Sequence, residues 1–290
     1  MSTAEMTAII GDVGGQAEAF ERLLADMGLD VAGGRIPDGM TVVQVGDLVH
    51  RGPDSAGVLD IVDRFISDPR WVQLIGNHEA QYLDPDGPAF EWSGNDMLGP
   101  DQVELLTSWW DSDLMRVAHA TPPGPDGVEV LVTHAGLTLG MSRALGLDLS
   151  SAATAAEGLN DCPRRGGDPL WWPGLMLNGG APNPIAGPLW AESAGEVAEP
   201  WYFAGANHPP AFHQVVGHST PVWWERNEWR CASAIMRGRS KILPAVRHVI
   251  MSTNDSPHRY VAAIDPAHKL RASPVWSPFV VAHPHESRQQ

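Results

Sequence analysis

Residues 40–54, MTVVQVGDLVHRGPD, hold the turn on which the fold is decided. Met40 to Val45 is a short apolar run that stops at Gly46–Asp47. Pro53 and Asp54 then open a helix whose apolar stripe is Val58, Ile61, Val62, Phe65 and Ile66. The theme repeats on both sides. Upstream, Thr7 to Ile10 ends at Gly11–Asp12, and a helical pattern beyond Gly14–Gly15 sets Ala17, Phe20, Leu24 and Met27 on one face. Downstream, Trp71 to Ile75 ends at Gly76–Asn77–His78–Glu79. Strands alternating with helices predict an α/β fold of βαβ units with a largely parallel sheet. Polar residues just past the strand C-termini of such a sheet meet in one crevice. Two later runs end alike: Glu129 to Val132 at Thr133–His134, and Gln214 to Val216 at Gly217–His218–Ser219. Further β runs cover Val246 to Met251 and Tyr260 to Ile264.

The five turns carry Asp12, Asp47, Asn77, His134 and His218. A single Asp after a strand is usually a helix N-cap, and a single His is usually a packed core residue. Five in this order, each on a strand-end turn, are hard to explain as separate caps. Carboxylate, amide oxygen and imidazole together suit one or two divalent ions, Mn first, with Fe or Zn as alternatives. The two oxygens of Asp47 allow it to bridge a pair. GDVGG does not match a dinucleotide fingerprint, because its glycines lack the G-x-G-x-x-G spacing.

Composition narrows the classes. The chain has 290 residues, 43% apolar and 19% charged, which is globular composition and fits a single domain over residues 1–290. Acidic residues outnumber basic ones 35 to 19, a formal charge of −16, so a nucleic-acid partner is not expected. No apolar run approaches a membrane span and no secretory segment precedes Thr7, which predicts no membrane partner and a cytoplasmic location. Cys162 and Cys231 form no metal or redox motif. The stretch from about 150 to 210 is rich in Trp, Gly and Pro with weak periodicity, and is expected to be an irregular insertion. Its Trp171, Trp172, Trp190 and Trp201 either line a lid over a substrate or glue the segment to the sheet. Arg164 and Arg165 are an exposed pair or reach a second phosphate, and His208 and His213 face the crevice or solvent. Trp109–Trp110, Trp223–Trp224 and Trp229 are read as packing, and residues 285–290 as a disordered tail.

The motifs GDVGG (11–15), GDLVHRGPDS (46–55), GNHE (76–79), THAGL (133–137) and GHS (217–219) resemble the calcineurin-like metallophosphoesterases, within them the phosphoprotein-phosphatase branch. GDLVHRGPDS is similar to bacterial serine/threonine phosphatases and to symmetrical diadenosine tetraphosphatases alike. The resemblance implies a central β-sandwich flanked by helices, with metals at the strand C-termini. It implies that Asp12 and Asp47 hold a first metal, and Asp47, Asn77, His134 and His218 a second. Arg51 would grip phosphate with its planar fork, and His78 would protonate the leaving oxygen while a metal-activated water attacks phosphorus.

Two positions depart from the family pattern. Gly14 stands where the family has a metal-binding His, and His50 where it usually has the Asp that orients the catalytic His. Either His50 replaces the lost ligand or it bonds near His78; the sequence leaves both open. The expected activity is hydrolysis of a phosphomonoester or phosphoanhydride. A small phosphorylated or nucleotide substrate is favoured because the Trp-rich insertion, with Trp171, Trp172 and Trp190 as contacts, narrows the crevice. A serine/threonine phosphoprotein phosphatase and a non-catalytic binding protein on a degenerate scaffold are the alternatives.

Overall fold

The structure is a computed structural model that describes residues 5–83, 97–162, 169–205, 210–230, 233–255, 258–268 and 271–284. Arg164, Arg165, His208, Cys231 and the expected tail lie outside the described residues. Two sheets face each other. The first holds β1 (Met6–Ile10), β2 (Met40–Gln44), β3 (Trp71–Leu74) and β4 (Met115–Arg116), all parallel, with β13 (Phe279–Ala282) antiparallel on the outer side of β1. The second holds β5 (Ala118–Thr121), β6 (Val130–Thr133), β7 (His213–Val216), β10 (Ser240–Leu243), β11 (His248–Asp255) and β12 (His258–Ala263) in the order β10-β11-β12-β7-β6-β5. Here β6, β7 and β12 run parallel and the outer pairs antiparallel, so the expectation of one largely parallel sheet holds only for the first sheet. A short hairpin, β8 (Val222–Trp223) with β9 (Glu228–Trp229), stands apart.

Strand alternation builds two cores. Ile9, Val43, Val45, Val72 and Leu74 of the first sheet bury against Val130, Val132, Val215, Ala262 and Ile264 of the second. Their neighbours of opposite parity, such as Ile10 and Val42, join the larger core shared with the helices. Each fully buried side chain of this size stabilises by about 1.5–3 kcal/mol. The first-sheet strands are followed by α1 (Ala17–Asp26), α2 (Ser55–Asp63) and α3 (Asn77–Leu83). Asp54 caps α2 by accepting from the Gly57 N–H at 2.8 Å.

The remaining helices are α4 (Pro100–Asp111), α5 (Leu139–Leu145), α6 (Ala152–Asn160), α7 (Glu199–Gly205) and α8 (Ala234–Gly238). The stretch expected to be irregular therefore carries α6, a π-helical turn at Ser193–Ala198, and α7. The apolar face of α6 is Ala152, Ala155, Ala156 and Leu159, a stripe of mostly small residues with little hydrophobic contrast. Trp201 anchors α7 by donating from Nε1 to the Leu137 carbonyl at 2.7 Å. Among the described residues no helix is long and apolar enough to cross a membrane.

Candidate metal centre

The strand-end turns are held in costly conformations. Asp47, His50, Arg51 and His218 all have positive φ, at 53°, 66°, 62° and 59°. Gly46, at φ 99°, could carry no side chain, since a Cβ there would lie 2.3 Å from the Gly76 nitrogen. The second and third turns thus pack backbone on backbone. Glu79 clamps them together. One carboxylate oxygen accepts from the N–H groups of Asp47 (2.8 Å) and Gly76 (2.9 Å), the other from those of Leu48 (2.8 Å) and Val49 (3.3 Å).

Asp47, His134 and His218 each aim one ligand atom at a common point, the three atoms lying within 4.8 Å of one another. The Val45 carbonyl takes the Nδ1 proton of His134 at 3.0 Å. His134 Nε2 then faces Asn77 Oδ1 at 2.9 Å and Asp47 Oδ1 at 3.3 Å with a bare lone pair. His218 Nδ1 lies 2.9 Å from the same Asn77 oxygen. Two acceptors as close as His134 Nε2 and Asn77 Oδ1, with no proton between them, are complementary to a cation, so the residues present fit a divalent metal. Burial keeps the imidazoles in the ligand form: it pushes His134 down to about 3 and His218 well below its usual range, where the nearby His134 adds to it.

Asp12 joins the first turn to the last by accepting from the His218 N–H at 3.0 Å. Beside it lies a residue the sequence reasoning missed. Asp265 follows β12, is 92% buried by its 8% exposure, and sits where the chain passes so close to Gly11 that a Cβ there would come 2.3 Å from the Ile264 oxygen. It accepts from the Ala267 N–H at 2.7 Å. Burial pushes Asp12 well above the usual carboxylate range, with the charges of Asp265 and Asp47 next, and raises Asp47 to about 7 and Asp265 as well. Among the described residues none of the three forms an ion pair with Lys or Arg. The signal was available: Tyr260 to Ile264 also ends on an acidic residue.

His78 lies behind Asp47, its Nε2 3.6 Å from Asp47 Oδ2 and 3.4 Å from Arg51 Nη2. Arg51 donates to that nitrogen from Nη2 and is itself exposed, so its remaining N–H groups can meet a solvent-borne anion. His50 has both ring nitrogens engaged, Nδ1 with His78 Nδ1 at 3.0 Å and Nε2 with the Tyr82 hydroxyl at 2.6 Å. The structure thus brings His50 to His78 and not to Asp12 in the role of a substitute ligand. Gly14 has φ 52°, and a Cβ there would find its nearest neighbours at 3.7 Å, in Arg51 and His50.

Three other expectations need correction. Trp190 is only 2% exposed and packs edge-on against His218 with ring centroids 5.8 Å apart, so it backs a ligand and offers no face to a substrate. His213 sits at the far end of β7 from His218, paired with Asp126 at 2.8 Å and stacked on Tyr260. Trp223 is exposed, with the Arg230 guanidinium 4.5 Å from its ring centroid. Trp171 and Trp172 are half-buried against the main core.

Burial acts on histidines away from the centre too. It holds His119 down to about 4, aided by Arg116, and His268 down to about 3, aided by Arg247. Between pH 6.5 and those values the unfolded chain binds a proton at each that the folded chain does not, so stability is lost as pH falls. At pH 5 each is expected to contribute about 2 kcal/mol of that loss. Urea midpoints at pH 7 and pH 5 for the wild type and a His119→Asn/His268→Asn pair check this. An unchanged pH slope in the pair refutes it. The opposing contribution of Asp47 is common to both proteins.

A β-sandwich with carboxylate, amide and imidazole donors gathered at its strand ends is a phosphoesterase arrangement. The sequence profile of the family described as calcineurin-like phosphoesterase matches residues 6–174, and the chain belongs to that family. Over 134 residues it is 35% identical to the symmetrical bis(5'-nucleosyl)-tetraphosphatase of Acidovorax sp. (strain JS42), covering 44% of this chain and 43% of the relative. Over 72 residues it is 36% identical to the asymmetrical bis(5'-nucleosyl)-tetraphosphatase PrpE of Oceanobacillus iheyensis, covering 24% and 29%. The match thus spans less than half the length of these curated relatives. A solved cold-active protein tyrosine phosphatase aligns with 93% of this chain and 72% of its own, at 18% identity and a TM-score of 0.49.

Proposed function

We infer that this protein is a metal-dependent phosphohydrolase that cleaves a phosphoanhydride or phosphomonoester in a small nucleotide, acting as a single cytoplasmic domain. The observation that carries this is the convergence of Asp47, Asn77, His134 and His218 on one point beside Arg51 and His78. Asp47, Asn77, His134 and His218 would hold one divalent ion, Mn by preference, and Asp12 with Asp47 a second. Divalent ions held there supply electrophilic stabilisation of the phosphoryl oxygens and a more acidic water.

The side chains do the rest. Arg51 binds two phosphoryl oxygens through its fork. His78 gives its Nε2 proton to the leaving oxygen, which breaks from phosphorus as water adds on the opposite side. Asp47 is oriented by the His78 N–H, which donates to its Oδ1 at 3.2 Å, and Trp190 excludes water from behind His218. A dinucleoside polyphosphate is the favoured substrate, supported by relatives named for that class and by the half-buried Trp171 and Trp172, which have ring surface for a base.

Initial rates with Mn on a dinucleoside tetraphosphate, a mononucleotide and a phosphopeptide test this. The tetraphosphate is expected to turn over fastest. Phosphopeptide rates orders of magnitude higher would make the protein a phosphoprotein phosphatase. A folded protein inactive with every divalent metal would be a binding protein.

A further inference from the structure

Arg51 meets one phosphoryl group in the reading above, yet a phosphoanhydride carries a second beside it. In a chain of net charge −16, another free cation at the crevice would be needed to draw that second group in. The turn that carries His218 leads to one. Ser219 ties down the start of the segment: its Oγ accepts from the Ser193 N–H at 2.9 Å and its carbonyl from the Ser193 hydroxyl at 3.2 Å. The β8–β9 hairpin then turns the chain back, and the Arg230 N–H donates to the Pro221 carbonyl at 2.8 Å, close in sequence to His218. Pairing sorts the hairpin side chains onto two faces. Val222 and Trp229 oppose each other and pack on the main core. Trp223, Glu228 and Arg230 fall on the other face, and all three are exposed. There the Arg230 guanidinium lies 4.5 Å from the Trp223 ring centroid. Such a contact engages the ring face and leaves the N–H fork for an acceptor. Among the described residues that fork makes no hydrogen bond and no ion pair, whereas Arg70 and Arg239 are paired with Asp68 and Asp255.

We propose that Arg230, steadied on Trp223, binds the phosphate next to the one that reacts, so that the site takes a polyphosphate chain in preference to a monoester. The proposal rests on the phosphohydrolase reading and narrows its substrate class. The charge of Arg230 reaches the centre. Burial raises Asp265, and against burial pull the Ala267 N–H and then the cations Arg51, Arg230 and Arg247 in that order. Arg247 is near, donating from Nη1 to the Pro266 carbonyl at 2.7 Å, and Arg230 outweighs it. Burial raises Glu192 too, and Arg230 opposes it there as well. Asp265 lies beside Asp12, and Glu192 follows closely on Trp190, which backs His218. Arg230 thus stands at the rim of the crevice, by the contact of Asp12 with the His218 N–H. Arg51 takes oxygens of the reacting phosphoryl group, and Arg230 those of its neighbour. The Trp223 ring restrains the Arg230 side chain before the ligand arrives, so less freedom is lost on binding.

The test does not need turnover. The zinc-loaded full chain is titrated by calorimetry with methylenediphosphonate, two linked phosphoryl groups that water cannot part, and with orthophosphate. Bound zinc is measured afterwards, so that chelation by the ligand is not read as binding. The wild type is expected to hold the diphosphonate more tightly than orthophosphate. Arg230→Ala is expected to lose about 10-fold in affinity for the diphosphonate, the lower end for a hydrogen bond to a charged group because the residue is exposed, and to keep the orthophosphate affinity. Equal losses for both ligands would put Arg230 on the reacting phosphate, and unchanged affinities would put it outside the site; either overturns the proposal. So does a wild type that holds the diphosphonate no tighter than orthophosphate. Should Arg230→Ala not fold, Arg230→Gln, which keeps most of the stem, is read the same way. If no phosphoester is hydrolysed, the two affinities still decide the subsite, and the hydrolase reading fails separately.

Discussion

Replacing His134 by alanine is expected to strip the protein of its tightly held metal and to lower hydrolysis by roughly 10³-fold, at or beyond the loss seen when one preorganised electrostatic contact is removed. The reason lies in the donor count. The site of Asp47, Asn77, His134 and His218 offers two imidazoles, and transition metals favour nitrogen-rich sites. The neighbouring site has Asp12 and the shared Asp47, with Asp265 close by and Gly14 contributing no ligand. After mild chelation about one metal per chain is therefore expected to remain, measured by plasma emission. His134→Ala and His218→Ala should each bring that figure to near zero, while Asp12→Ala should leave it. Thermal melts separate loss of metal from loss of fold, since His134 also donates to the Val45 carbonyl. Tight metal retained in both histidine variants would sink the assignment.

Much of this centre was legible because strand-end turns announce themselves. A β run that stops at a polar residue on a turn is enough to mark Asp12, Asp47, Asn77, His134 and His218, and one crevice follows from the topology of parallel strands. Asp265 obeys the same rule and was missed because its run was read only as part of the closing sheet. The role of His50 was not legible at all. Metal ligand or hydrogen-bond partner of His78 depends on where a ring points within an ångström, and that is set by the contact with Tyr82 and by a positive φ, neither of which leaves a pattern in the chain. Trp190 failed for a related reason: burial behind His218 is a tertiary property, and composition reads a buried and an exposed Trp alike. The two-residue strand β4 and the alanine-striped α6 lack the length or contrast that periodicity needs.

Glu79→Gln is expected to lower stability by about 2–6 kcal/mol, the cost of leaving two buried N–H groups without acceptors at about 1–3 kcal/mol each. The geometry allows no escape. Whichever way the amide is placed, its NH2 faces a pair of donors, either Asp47 and Gly76 or Leu48 and Val49. Burial, and after it the charge of Asp47, push Glu79 up to about 8 although the N–H donors pull the other way. With each oxygen already accepting from two N–H groups, a proton on the carboxyl would have to displace one of them, so the carboxylate form is the one the turns require. Urea unfolding at pH 7, on metal-loaded protein, checks the figure, and a melting-temperature drop of roughly 5–15 °C should accompany it. The effect should reach the metal as well, because the two turns Glu79 joins carry Asp47 and Asn77. A variant within 1 kcal/mol of the wild type would show that Glu79 is folded as a neutral acid, and that the clamp on the two turns lies in the backbone packing of Gly46 against Gly76 instead.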